Sequence, residues 1–115
     1  MFVSNAEYKR FKLAYICSPY AAYDDKAVED NIVHARRECR KAVELGYNPL
    51  ASHLFYTQFL NDNTPSERET GLRLGLEMLG LCEELWVCSE HISGGMKAEI
   101  EKAKQLGIKI VYKGA

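Results

Sequence analysis

The sequence has no surplus of charge. Its 115 residues carry 15 Lys and Arg against 16 Asp and Glu, a net charge near −1. A general nucleic-acid binder needs a basic excess to neutralise phosphates, so polymeric nucleic acid is not an expected partner. One small anion needs only a local site and stays open. Cys17, Cys39, Cys82 and Cys88 include no C-x-x-C pair and none near His at zinc spacing. No metal site is expected, and the four read as reduced thiols of a reducing, cytoplasmic compartment. No apolar run approaches the length of a membrane span, and the first twelve residues do not read as a signal peptide. Repeats, linkers and low-complexity stretches are absent too. Neither the G-K-[ST] ending of a P-loop nor a G-x-G-x-x-G fingerprint occurs.

What is there is ordinary globular composition, 47% hydrophobic and 27% charged. The length suits one domain over residues 1–115, with residues 1–10 as a loosely packed leader. Residues 11–17 are a short apolar, aromatic-rich run stopped by Ser18-Pro19-Tyr20, which predicts a buried strand. From Asp25 to Leu45 the pattern is helical: Val28, Ile32, Ala35, Cys39, Ala42 and Val43 share one stripe, and Gly46 closes it. Residues 47–51 predict a second strand. Pro49 within it argues for a sheet edge. Residues 53–60 are aromatic and ambiguous, with a short helix as one option, and residues 61–65 are a loop. Ser66 as N-cap with Glu69 three residues on predicts a helix to about Leu81. Gly71 and Gly75 lie inside it at a cost, which points to close packing against a neighbour. Residues 84–88 predict a third strand, 89–95 a polar glycine-containing loop, 96–106 a helix closed by Gly107, and 108–112 a last strand.

Strand and helix alternate. That predicts a small doubly wound, flavodoxin- or Rossmann-like α/β sheet of about four parallel strands, with helices on both faces. Right-handed crossovers put the βα loops on one sheet edge, where such folds bind ligands. Three segments converge there: residues 15–20, 51–56 and 89–99. In the last, Ser93-Gly94-Gly95-Met96-Lys97-Ala98-Glu99, the glycines allow backbone amides to approach a ligand and the helix N-terminus favours an anion. From spacing alone Glu99 reads first as an acid complementing the helix dipole, and Ser93 as a helix cap. His53 stands at the ligand edge. His34, among charges on a helix, reads as surface.

The frame of Tyr15-Ile16-Cys17-Ser18-Pro19-Tyr20, Gly46-Tyr47-Asn48-Pro49-Leu50, Cys82-Glu83-Glu84-Leu85-Trp86-Val87, Ser93-Gly94-Gly95-Met96-Lys97-Ala98-Glu99-Ile100 and Gly107-Ile108-Lys109-Ile110 resembles the nucleoside 2-deoxyribosyltransferase superfamily. It is most like its short, often phage-associated members. Related to these are the 2′-deoxynucleoside 5′-phosphate N-hydrolases. The resemblance covers roughly residues 11–112.

It implies N-glycosidic bond cleavage or transfer on a (deoxy)nucleoside or its 5′-monophosphate, through a glycosyl-enzyme intermediate. Glu99 matches the nucleophile and Tyr15 the residue that orients it. Glu84 stands near the position of a further acid, usually Asp, and Glu77 is the nearest counterpart of another. Ser93 matches the serine of the monophosphate hydrolases, where nucleoside-using members carry Asp. With Gly94, Gly95 and Met96 it would hold a 5′-phosphate, and Arg68 would pair with it. Cys17, Ser18, Pro19 and Tyr20 replace the glycine-rich first loop of those hydrolases, and His53 falls where relatives line the base pocket. The resemblance implies no cofactor and no metal, and a homodimer or dimer of dimers. The alternative is a catalytically inactive nucleotide-binding or sequestering domain of the same fold.

Overall fold

The computed structural model describes residues 10–114, so the leader expected over residues 1–10 lies outside the described residues apart from Arg10. The elements run β1 (Lys12–Cys17), α1 (Val28–Glu44), β2 (Tyr47–Leu50), α2 (Ser52–Phe55), a 3-10 turn (Tyr56–Gln58), α3 (Pro65–Leu79), β3 (Glu84–Val87), α4 (Gly94–Leu106) and β4 (Lys109–Tyr112). All strand pairings are parallel and the order is β2-β1-β3-β4. This is the doubly wound architecture expected from the alternation.

Side chains alternate across a strand, and the two faces can be read from that. Ala14, Ile16, Trp86 and Cys88 pack with Ala42 and Cys39 of α1 on one face. Tyr15, Cys17, Leu85 and Val87 pack with Leu79 of α3 and Met96 and Ala103 of α4 on the other. The central strands are buried, β3 at all four of its positions. Proline-containing β2 is at the edge, where its missing N–H costs no ladder bond.

From β1 the chain leaves through α1 to β2 on one side. It returns over the opposite face through α3 to β3 on the other. The strand order therefore reverses between β1 and β3. Their carboxyl ends diverge there and open a crevice.

Three local expectations are corrected. Helix α3 begins one residue earlier than Ser66, with Thr64 at the N-cap position, making no side-chain cap bond, and Pro65 in the first turn, rather than with a Ser66 and Glu69 box. Proline's fixed φ suits that first position and its absent N–H costs nothing there. The acid that reaches back is Glu67, whose carboxylate accepts from the Asn61 N–H at 2.9 Å. Helix α4 starts at Gly94 rather than Met96, so both glycines belong to its first turn. His34 is not a free surface side chain: its Nε2 is hydrogen-bonded to the Cys88 carbonyl. The close neighbour of Gly75 is also now explicit. It is the Tyr15–Ser52 pair of the same chain.

Candidate functional site

A cavity occupies the crevice at the switch point. The end of β1 supplies Ser18 and Tyr20, and the segment after β2 supplies Ser52, His53, Tyr56 and Thr57. The first turns of α4 supply Ser93, Gly94, Gly95, Met96 and Glu99. Of a fourth wall, only Arg68 was expected from the sequence. It runs from Leu60 and Asp62 through Glu67 and Arg68 to Gly71 and Leu72. Apart from Arg68, nothing in the pattern of residues 60–72 marks it as a wall. Its place comes from the crossover that carries α3 across the sheet.

Helical spacing puts Met96 and Glu99 on one side of α4. Met96 is buried in the core beside β1 and β3, and Glu99 lies one step further along. Its carboxylate accepts a hydrogen bond from the Tyr15 hydroxyl, and Ser52 Oγ is 2.6 Å from the same hydroxyl. Burial pushes the Glu99 carboxyl up to about 7, while hydrogen bonds from Tyr15 and Cys17 pull the other way. Burial and then the charge of Glu99 raise Tyr15 well above its usual value, so its phenol stays protonated and donates. Cys17 is raised too, by burial and then by Glu99. This cysteine lies beneath the cavity, with its sulfur 4.0 Å from the Met96 carbonyl oxygen. Pro19 is likewise buried below the surface rather than part of the lining.

His53 Nε2 is 3.0 Å from Ser18 Oγ, and its buried Nδ1 has no protein partner. Burial lowers its pKa to about 4, so the imidazole is neutral at pH 7. The Tyr20 ring lies 5.7 Å from it, tilted by 33°. Tyr20 is held at the mouth by its backbone: Asn31 Nδ2 donates to the carbonyls of Tyr20 and Ala21, both at 3.0 Å. Further along the same loop Tyr23 stacks on His91 at 3.7 Å.

Ser93 caps α4, its Oγ accepting from the Met96 N–H at 3.2 Å. A Cβ at Gly94 would meet nothing within 4 Å, so packing within the chain does not demand glycine there. What glycine leaves is open backbone beside the cavity, in a first helical turn whose N–H groups favour an anion. Arg68 stands across from it, paired with Asp62 at 2.9 Å.

Two acids singled out from the sequence are not brought to this cavity. Glu84 is the first residue of β3, and the crevice is at that strand's other end. Burial works against its charged form, but hydrogen bonds from Trp86 and Tyr47, each 2.9 Å, together with the charges of Lys109 and Lys12, outweigh it. Its carboxylate is thus held below its usual range as a structural acceptor. Glu77 is exposed on α3. The α3 residue that does face Tyr15 and Ser52 is Gly75, which carries no acid.

Among the described residues no group of three or more His, Cys, Asp or Glu side chains is arranged to hold a metal ion. No described helix is long and apolar enough to cross a membrane.

A family model described as a domain of unknown function (DUF7768) matches residues 12–113. No curated protein matches the sequence. Among solved structures, the 2-deoxyribosyltransferase of the psychrotolerant bacterium Bacillus psychrosaccharolyticus is similar, with a TM-score of 0.64 at 13% identity. The match covers 89% of this chain and 72% of that one. At that identity the likeness is one of fold.

Proposed function

The chain belongs to the family described as a domain of unknown function, DUF7768, and we propose that it cleaves or transfers the N-glycosidic bond of a (deoxy)nucleoside or its 5′-monophosphate. The observation that carries this reading is the hydrogen bond from Tyr15 to Glu99 inside the crevice at the carboxyl edge of the sheet. An acid held at about 7 by burial is ionised in part at neutral pH and poorly solvated, which suits a nucleophile. In the reaction, a Glu99 oxygen bonds to C1′ of the sugar. The C1′–N bond breaks, and its electron pair leaves with the base, which takes up a proton from solvent. Water or a second base then attacks C1′, gives up its proton to solvent, and the C1′–O bond to Glu99 breaks with its electron pair returning to the carboxylate, with net retention.

The other lining residues suit the rest of such a substrate. Ser18, Tyr20 and neutral His53 offer an aromatic, hydrogen-bonding wall to a base. Ser93, Gly94 and Gly95 at the N-terminus of α4, with Arg68 opposite, suit a 5′-phosphate. Cys17 and Pro19 act from below, by supporting Glu99 and the first loop. No cofactor or metal enters this chemistry. The protein is cytoplasmic in this reading and assembles as a homodimer or dimer of dimers. Phe55, Phe59 and Leu72, all more than two-fifths exposed near the cavity mouth, favour assembly. A light-scattering mass of one chain would refute it.

A second reading, a nucleotide-binding or sequestering domain without turnover, is favoured by the missing acid. Glu84 is at the far end of β3, Glu77 points to solvent, and Gly75 stands where α3 faces Tyr15. Deoxynucleosides and their 5′-monophosphates, incubated with the protein and resolved by chromatography, separate the two readings. Free base that disappears with Glu99→Ala is the expected result. Tight binding of one nucleotide without base release would establish the binder. Release that survives Glu99→Ala would remove the nucleophile assignment.

A further inference from the structure

Tyr15 has one hydroxyl proton and two hydrogen-bond partners, Glu99 on one side and Ser52 Oγ at 2.6 Å on the other. An ionised carboxylate only accepts, whereas a hydroxyl both donates and accepts. With Glu99 ionised, the phenol proton is committed to Glu99. Ser52 must then give its own proton to the phenol oxygen. The hydrogen bonds form a directed chain, from Ser52 to Tyr15 to Glu99, across three elements that are far apart in sequence.

The chain needs room. A Cβ at Gly75 would lie 3.1 Å from Ser52 Oγ, 3.2 Å from Ser52 Cβ and 3.3 Å from the Tyr15 hydroxyl. Such contacts are tighter than side chains ordinarily tolerate, and Ser52 would have to give way. Gly71, one turn earlier on the same helix, is different: a Cβ there would meet only Leu60, at an ordinary 3.7 Å. A glycine inside a helix is less favourable than alanine. At position 75 that cost leaves the Ser52 hydroxyl its place beside the phenol.

We propose that Ser52 and Gly75 are positioning residues for Glu99 that act through Tyr15, Ser52 by donating into the phenol oxygen and Gly75 by leaving the space that this requires. The proposal deepens the reading of Glu99 as nucleophile and depends on that reading only for its kinetic consequence. A phenol that itself receives a hydrogen bond is a stronger donor. The carboxylate it serves is stabilised, and the proton on Glu99 is released at lower pH. The other groups around Glu99 are Cys17 from β1, which stays a thiol, and neutral His53 from α2. Asp62, Glu67 and Arg68 stand on the fourth wall, and Lys97, Glu101 and Lys102 flank Glu99 along α4. Cys17 is a second donor to the Glu99 carboxylate and is the same in wild type and variants; the others take no part in the hydrogen bonds between Ser52, Tyr15 and Glu99.

The test is an NMR titration of the full chain labelled with 13C at glutamate carboxyls, with the Glu99 signal identified by its loss in Glu99→Gln. Ser52→Ala should raise the Glu99 midpoint by about half a pH unit or more. Gly75→Ala, which keeps the serine but displaces it, should move the midpoint the same way. A midpoint that Ser52→Ala leaves at the wild-type value overturns the proposal, even if the variant is less stable, since a merely structural role lowers stability without moving the titration. If Ser52→Ala does not fold, an unmoved midpoint in Gly75→Ala overturns it instead. The titration needs no turnover. Absence of base release from the wild-type protein would defeat the proposed function and leave this result standing.

Discussion

Tyr15 and Glu99 are 84 positions apart in the chain and joined by one hydrogen bond in the crevice between β1 and β3. Tyr15 sits in the middle of the sheet, paired with Leu50 on one side and Leu85 on the other. Its ring is in the core, and its hydroxyl reaches the cavity only through Ser52 and Glu99, which line it. The strand fixes the phenol, and the phenol fixes the carboxylate.

The first prediction concerns that bond. Tyr15→Phe leaves Ser52 and Glu99 without their shared partner in a buried place. It should cost roughly 1–3 kcal/mol in urea unfolding and raise the Glu99 midpoint, because a donor to the carboxylate is lost. Base release at pH 7 should fall more than ten-fold, which corresponds to about 1.4 kcal/mol or more. Unchanged activity in a folded variant would contradict the orienting role.

The second concerns pH. Glu99 rises from an ordinary 4.5 to about 7 on folding, so between these values the folded state holds a proton that the unfolded state has lost. Stability therefore falls as pH rises through that window, by up to about 3 kcal/mol. His53 works in the opposite sense. Its pKa drops from 6.5 to about 4, so the unfolded state binds the extra proton and stability rises with pH across that range. The two slopes offset each other where the windows overlap. In Glu99→Gln, the His53 slope should emerge, and the variant should be more stable than wild type above pH 7. Urea unfolding at pH 5 and pH 8 checks both signs. Base release, in contrast, should increase through pH 7 as Glu99 ionises.

The third separates structure from chemistry at Glu84. Removing its carboxylate leaves Trp86 Nε1 and the Tyr47 hydroxyl without their acceptor. Glu84→Ala should lower stability by about 2–4 kcal/mol while base release per folded molecule stays within two-fold of wild type. A large loss of turnover in a fully folded sample would return Glu84 to the chemistry.

The fourth concerns the phosphate. Arg68→Gln should weaken turnover of a 5′-monophosphate about ten-fold in kcat/KM, near the strength of one charged hydrogen bond, and leave the unphosphorylated nucleoside unchanged. Equal loss on both substrates would mean that Arg68 serves the wall, through Asp62, rather than the ligand.

Much of the architecture was legible in the residues themselves. The apolar run before Ser18, the stripe on α1, the glycine after it and the proline in β2 each impose a local geometry, and alternation with parallel pairing results from them. Gly46 takes φ +85° where the first helix must stop. The segment 93–99 was also recognisable, because glycines followed by a helix make an open N-terminus in any fold. The start of α3 was not, since Thr64 with Pro65 and Ser66 with Glu69 are both acceptable caps. Local propensity does not choose between them, whereas the reach of Glu67 to Asn61 does.

Which side chains meet was decided elsewhere. Glu84 opens strand β3 and Glu99 is on the helix that follows it, and their sequence neighbourhoods do not reveal that they lie at opposite ends of the strand. Parallel register does: β3 enters the sheet beside Ala14 and leaves it beside Cys17, so only residues beyond Val87 reach the crevice. The wall from Leu60 to Leu72 and the contact of Gly75 with Ser52 and Tyr15 have the same origin. They depend on α3 crossing the sheet over β1, a relationship between residues distant in the chain. Residue order determined the strands, the helices and the open turn at Ser93. Parallel register and the packing of α4 against β1 decided which of the acids faces Tyr15, because only tertiary contact brings a group from one end of the chain to within hydrogen-bond reach of the other.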